Sequence, residues 1–134
     1  MAWSALLDNA IPLAFAGAGM MCFLRAMGVR QYGQTVGGLA FAMSGFFVAR
    51  IGTSSMIWAG AWLPWVMLGG LKAVNQQNSS NRVSLTLPLT LSVAMQLLAG
   101  HAQTTWYTLM VLVPWMLVLA WKFLPLKRFM NLVT

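Results

Sequence analysis

The chain has 134 residues, of which 60% are hydrophobic and only 7% are charged, and its formal net charge is +7. About a quarter of the residues in soluble globular domains are charged, so this composition excludes that class and is typical of an integral membrane protein. The lysines and arginines stand singly or in pairs between apolar runs. No basic face can follow a phosphate backbone, which excludes nucleic acid as a partner.

Apolar segments follow one another along the whole chain, each near the roughly 20 residues that cross a hydrocarbon core. We predict an all-α transmembrane bundle that forms a single domain over residues 1–134. Its five spans are expected at Ala10 to Met27, Thr35 to Ala49, Ile57 to Val74, Val83 to Leu98 and Thr105 to Leu124. The second and fourth spans are short and need flanking residues to cross fully.

The basic residues predict an orientation, because lysine and arginine collect in cytoplasmic loops. If the spans alternate, the cations on one side are Arg25, Arg30, Lys72, Arg82, Lys122, Lys127 and Arg128. Arg50 alone falls on the other side, together with His101, while the polar segment from Asn75 to Asn81 is a cytoplasmic loop. We therefore predict that the N-terminus lies outside and the C-terminus in the cytoplasm.

A polar segment from Gly100 to Tyr107 separates the last two spans and is expected at the membrane surface, since lipid excludes bare polar groups. We predict that Arg50, His101, Gln103 and Tyr107 bind a polar substrate. The planar guanidinium of Arg50 can neutralise a lipid phosphate, and the other three can hydrogen-bond a sugar or a pyrophosphate. The alternatives are interfacial anchoring for Arg50 and helix capping or loop packing for His101.

Gln96 lies inside the fourth predicted span, where an amide needs a partner. It either bonds another helix or borders a wet cavity. If the helix continues through Gly100, then Gln96, Gly100, Gln103 and Tyr107 share one stripe at intervals of 4, 3 and 4. Gly100 predicts a break equally well.

Small residues recur in the second predicted span at Gly38, Ala42, Gly45 and Ala49, which places them on one helical face. Such a face lets helix backbones approach closely in lipid. We expect it to contact other membrane helices, either within the chain or in a second copy.

A second face is formed by Trp58, Trp62 and Trp65 in the third predicted span, with a kink expected at Pro64 because proline lacks a backbone donor. Indoles favour the headgroup zone of a bilayer. This face is therefore either an aromatic belt or a platform for a sugar ring or a prenyl chain.

Several runs resemble the bacterial YfhO-like membrane proteins. They are Gly17 to Arg25 with Met27 and Gly28, Met43 to Gly52, Ala61 to Trp65, and Gln96 to Thr104. That family is similar to the GT-C class of polytopic glycosyltransferases, which move a sugar from a polyprenyl-phosphate donor to an acceptor on the outer side of the membrane. The resemblance implies a multi-pass protein of the bacterial inner membrane that handles a polyprenyl-phosphate-linked sugar at the outer face.

Two departures from this family bear on catalysis. Its usual members are several times longer, and they carry an acidic residue in the first large external loop after an N-terminal span. Asp8 is the only acid of this chain and does not match that position, so the catalytic residue is unknown. We expect a fragment that is not active alone and that, if it belongs to an enzyme, belongs to a GT-C-like glycosyltransferase.

No cofactor is predicted, and no metal site, since the single histidine, cysteine and aspartate are far apart in sequence. The alternative to a glycosyltransferase-like protein is a non-enzymatic small membrane subunit or a transporter fragment. Transporters usually place polar groups near the bilayer midplane. Apart from Gln96 and a few hydroxyls, the predicted spans hold none.

Overall fold

The structure, a computed structural model, describes the backbone of residues 2–75 and 82–133 and the side chains of residues 7–74 and 86–121. Within these ranges all regular structure is helical, which confirms the predicted all-α class. The helices are α1 (Ala2–Ala26), α2 (Gln31–Ala42), α3 (Gly45–Ala49), α4 (Ser54–Ala61), α5 (Leu63–Asn75), α6 (Arg82–Leu98) and α7 (Ala102–Val133). The predicted loop from Asn75 to Asn81 lies outside the described residues except for the backbone of Asn75, which ends α5. The side chains of Arg82 and of the basic residues after 121 also lie outside them.

Among the residues that the structure describes, three stretches are long and apolar enough to cross a membrane, which indicates a membrane protein. They are Leu7–Ala26 in α1, Ser54–Val74 across α4 and α5, and Ala102–Trp121 in α7. The 12 residues of α2 and the 17 residues of α6 are shorter. At 1.5 Å per residue they rise about 18 Å and about 26 Å, less than the hydrocarbon thickness of about 30 Å. The five-span count therefore stays a prediction.

The second predicted span is not one helix, because α2 ends at Ala42 and α3 begins at Gly45. Ser44 between them has an extended backbone, with φ −63° and ψ 152°. A neighbouring serine and glycine are a common cause of such helix breaks. The predicted single face of Gly38, Ala42, Gly45 and Ala49 is therefore wrong, since the first two residues and the last two lie on different helices.

Gly38 and Ala42, the two residues of this predicted face that lie on α2, pack against α1 within the chain. A Cβ atom on Gly38 would lie 2.9 Å from the backbone oxygen of Gly17, and one on Gly17 would lie 3.4 Å from Cβ of Ala42. A Cβ atom on Gly45 would meet nothing within 4 Å. Close approach of the α1 and α2 backbones thus depends on Gly38 and Gly17.

The third predicted span is interrupted at Trp62, where α4 has ended and α5 is about to begin, and Pro64 lies in the first turn of α5. Its indole face contacts Phe15 of α1, with ring centroids 6.4 Å away for Trp58, 4.8 Å for Trp62 and 5.1 Å for Trp65. The Trp65 indole also donates a hydrogen bond of 3.3 Å to the Phe15 carbonyl. This face therefore packs on α1.

Within the described side chains, two apolar clusters join the helices. The first consists of Ala16, Phe47, Ile57 and Ala61. The second consists of Phe23, Leu68 and Leu71, with Trp115 and Leu119 packed against it. Because Phe23 contacts the C-terminal half of α5, Arg25 and Lys72 belong to the same end of the bundle. The turn at Arg50 precedes the first residue of α4, whereas Lys72 lies near the last residue of α5. Arg50 therefore lies toward the end of the bundle opposite to Lys72.

Candidate ligand-binding cavity

Two glycine turns position Arg50 and His101. Gly52 and Gly100 have φ angles of +102° and +82°, a region that residues with a Cβ atom rarely adopt. Arg50 is the C-terminal cap of α3, directly before the first turn, and His101 directly follows the second, where α7 begins. The helix therefore breaks at Gly100, as one of the two alternatives predicted, and the continuous stripe from Gln96 to Tyr107 is wrong.

His101 caps α7. Its Nδ1 atom accepts the backbone N–H of Thr104 at 3.3 Å and lies 2.8 Å from Oγ1 of the same residue. Because a backbone N–H can only donate, Nδ1 carries no hydrogen, which assigns the hydrogen of the neutral ring to Nε2. Helix capping was one of the roles predicted for His101 as alternatives to substrate binding, and the structure shows it. The ring keeps one N–H donor for a further partner.

A cavity of about 480 Å³ lies between α7, the consecutive helices α4 and α5, and the α2–α3 connection. It is lined by the four residues that the sequence singles out for substrate binding, which are Arg50, His101, Gln103 and Tyr107. The other lining residues are Phe41, Ser44, Phe46, Phe47, Met56, Gly60, Leu63, Met67, Thr104, Thr108 and Val111. The structure therefore brings the four residues together along one cavity, while their role in binding stays a prediction.

The cavity is polar at one end and apolar elsewhere. On α7 the lining side chains are polar from His101 to Thr108 and become apolar at Val111, a distance of about 15 Å along the helix from first to last. Phe47 forms a fully buried wall at 1% exposure, whereas Tyr107 and Val111 are 60% and 61% exposed at the rim. A ligand that fills this space needs a polar head and an apolar body.

Arg50 is a cation without an acidic partner in this cavity. Its Nη1 donates to the thioether sulfur of Met56 at 2.9 Å, and a thioether is a weak acceptor. Asp8, the only acid of the chain, is not among the residues that line the cavity. The guanidinium keeps most of its five donors for an anion, and its planar fork can donate two hydrogen bonds to a phosphate or carboxylate group.

The rim of the cavity carries a polar pair on the first turns of α7. The Gln103 amide donates to the phenol oxygen of Tyr107 at 2.9 Å, across one helical turn. Both side chains are exposed. The phenol hydrogen and the amide oxygen remain available to a ligand.

Gln96 does not line the cavity but hydrogen-bonds Thr108, a residue of α7 that does. It is fully buried, and its Nε2 donates to the Ala59 carbonyl of α4 at 2.8 Å and to the Thr108 hydroxyl at 3.0 Å. Thr108 in turn donates to the Thr104 carbonyl at 3.0 Å. Of the two alternatives for Gln96, the bond to another helix is therefore observed. Its Oε1 atom and the Thr105 hydroxyl are buried without a hydrogen-bond partner among the described residues.

The sequence prediction included Thr104 in the polar segment without assigning it a binding role, and it did not select Thr108 or the apolar lining. His101, Thr104 and Thr108 lie at intervals of 3 and 4, which places them on one face once the start of α7 is known. No comparable signal points to Met56 or Phe47. Among the described residues, no three side chains of histidine, cysteine, aspartate or glutamate are grouped as a metal site.

No family model, curated protein or solved structure matches the chain. The resemblance to YfhO-like proteins thus rests on short motifs and stays a prediction. The chemistry of the cavity is the remaining basis for a function.

Proposed function

We propose that the cavity binds a polyprenyl-phosphate-linked sugar, as part of a GT-C-like glycosyltransferase at the outer face of the bacterial inner membrane. One observation carries this proposal: Arg50 and a group of hydrogen-bonding side chains that includes His101 and Tyr107 line a largely apolar space of about 480 Å³. A cation at the edge of an apolar cavity favours an amphiphile with an anionic head. A lipid-linked sugar phosphate has this chemistry.

Each part of such a ligand has a partner in the cavity. The Arg50 fork binds phosphate oxygens through charge-assisted hydrogen bonds. The His101 Nε2–H, the Gln103 amide and the Tyr107 hydroxyl bind the sugar or the second phosphate. Phe47, with the leucine and methionine side chains of α5, contacts the first isoprene units.

The proposal includes five crossings, with α2–α3 and α6 as the shorter ones. Flanking residues and local thinning of the bilayer allow short helices to cross at modest cost. Two features support an outer location for the cavity. Arg50 and His101 line the same space, while the Phe23 to Leu71 contact sets Arg25 and Lys72 at the other end of the bundle. Since basic residues mark the cytoplasmic side, the cavity end faces outward.

The part proposed for this chain is binding and not the transfer step itself. Glycosyl transfer needs a carboxylate as general base or metal ligand, and none of the residues that line the cavity is acidic. That group would come from another segment or subunit. A non-enzymatic membrane subunit is the second candidate, and it would bind the same ligand without supporting transfer.

The test uses the purified chain in detergent with farnesyl phosphate as the probe and farnesol as its uncharged counterpart. We expect farnesyl phosphate to bind at least tenfold more tightly, since hydrogen bonds to charged groups contribute about 1.5–3 kcal/mol. Val111→Trp fills the cavity and should abolish binding. Val118→Trp changes an equally exposed residue of α7 that does not line the cavity and should bind normally.

Equal binding of farnesol and farnesyl phosphate would overturn phosphate recognition. Equal effects of the two tryptophan variants would place the probe outside the cavity.

A further inference from the structure

A second, smaller groove of about 200 Å³ lies between α5 and α6. On the α5 side it is lined by Trp62, which directly precedes α5, and by Trp65, Leu68, Gly69 and Lys72 of α5. The intervals of 3, 4 and 3 from Trp62 through Trp65 and Gly69 to Lys72 place these four residues on one stripe. From α6 it is lined by Pro88, Leu91 and Ser92. None of these residues lines the larger cavity, so the groove is a separate feature of the fold.

Close packing at Gly69 sets the spacing of the two helices. A Cβ atom on this residue would lie 2.8 Å from the Cα atom of Leu89. The helices therefore touch through backbone at this point, and the larger side chains on either side stand apart along the groove. The groove is a consequence of how α5 and α6 pack.

Lys72 is the charged group of the groove. The Ser92 hydroxyl is buried and donates within α6, 2.7 Å from the Pro88 carbonyl and 3.0 Å from that of Leu89. Lys72 is exposed in the last turn of α5. The groove thus has a cation at one end of an apolar wall formed by two indoles and Leu91.

The length of the stripe indicates what fits it. Trp62 and Lys72 are ten residues apart, or about 15 Å along a helix, which is half of a hydrocarbon core of about 30 Å. A lipid of one leaflet matches this length, whereas a membrane-spanning helix would extend far beyond it. The net charge of +7 and the single acid of the chain favour an anionic headgroup.

We propose that an anionic phospholipid occupies this groove, with its phosphate on Lys72 and one acyl chain against Trp62, Trp65 and Leu91. The end of the bundle that holds Lys72 also holds Arg25, so two cations face the same headgroup layer. Only Lys72 lines the groove. This lipid site does not depend on the ligand of the larger cavity.

The experiment measures lipids retained by the purified full chain in native mass spectra, from detergent micelles that contain phosphatidylglycerol and phosphatidylcholine in equal amounts. The chain should retain one phosphatidylglycerol in preference to phosphatidylcholine. Lys72→Gln should lower this retention about tenfold or more, the effect expected when one charge-assisted hydrogen bond to the phosphate is lost. Arg25→Gln removes an equal charge outside the groove and should change retention little.

A second pair of variants tests the acyl chain. Leu91→Trp fills the groove without changing charge and should prevent retention. Leu87→Trp, at a residue of similar exposure outside the groove, should not. The proposal is wrong if Arg25→Gln acts as strongly as Lys72→Gln, if Leu87→Trp acts as Leu91→Trp does, or if phosphatidylcholine is retained equally. Displacement of the bound species by inorganic phosphate alone would also contradict it.

Discussion

The Nδ1 atom of His101 accepts the backbone N–H of Thr104 at 3.3 Å, so the imidazole that lines the cavity also caps the helix that forms its wall. One side chain therefore serves two purposes. The cap leaves Nε2–H as the donor available to a ligand. A substitution at this position can affect stability, binding or both, and the two effects are separable.

His101→Asn should keep the cap and weaken binding, because asparagine is a strong N-cap residue but does not reproduce the Nε2–H donor. His101→Leu should lose both, with a decrease of about 1 kcal/mol in the free energy of unfolding. Unfolding in mixed micelles and farnesyl phosphate binding measure the two effects. If His101→Asn binds the probe as tightly as the unsubstituted chain, the histidine is a cap and has no part in binding.

Gln96→Leu should lower the free energy of unfolding by about 1 kcal/mol, since buried hydrogen bonds between membrane helices are worth about 0.6–2 kcal/mol. The change removes the bonds to Ala59 and Thr108. Gln103→Leu is the matched control, because Gln103 is exposed and its amide donates only to a neighbouring turn of α7. Similar losses for the two variants would show that the amide of Gln96 does not join the helices.

Gly38→Ala should destabilise the chain by about 1–3 kcal/mol, the usual cost of overpacking. The added methyl would lie 2.9 Å from the backbone oxygen of Gly17, which cannot turn aside. Gly45→Ala adds the same methyl where nothing lies within 4 Å and should be neutral. Unfolding free energies measure both. A change in the dimer fraction instead, with unfolding unaffected, would assign Gly38 to a contact between copies.

Much of the helical order follows from the sequence, because apolar runs bounded by polar residues are a local signal. The predicted span from Val83 to Leu98 differs by one residue from α6. The break between α2 and α3 was missed, since Ser44 and Gly45 interrupt an apolar run without changing its hydropathy. The hydropathy of a segment indicates whether it is buried in lipid, but it does not show where the helix breaks.

The candidate site was predictable in part for the same reason. Arg50 and His101 stand out as polar residues at the ends of apolar runs, and alternation of the spans places them at the same end. The bond from Gln96 to Ala59 joins residues 37 positions apart, and no periodicity reports such a contact. The apolar residues that line the cavity come from several helices, and in the sequence nothing distinguishes them from other apolar residues of membrane helices.

The proposed orientation predicts how single cysteines react with an impermeant maleimide in intact cells, once Cys22 has been replaced by serine. Ile51→Cys lies in the exposed turn beside Arg50, and Met27→Cys lies in the exposed turn after α1. The first should be labelled from outside, and the second only after the membrane is permeabilised. The reverse pattern would invert the topology and move the cavity to the cytoplasmic face.

The most direct measurement is the dissociation constant of farnesyl phosphate for three chains: the unsubstituted protein, Arg50→Gln and Arg30→Gln. Arg50 lines the cavity, whereas Arg30 is an exposed cation between α1 and α2. Loss of the Arg50 fork should weaken binding about tenfold or more, while Arg30→Gln should leave the constant unchanged. An unchanged constant in Arg50→Gln, or an equal loss in both variants, would contradict a phosphate site built on Arg50.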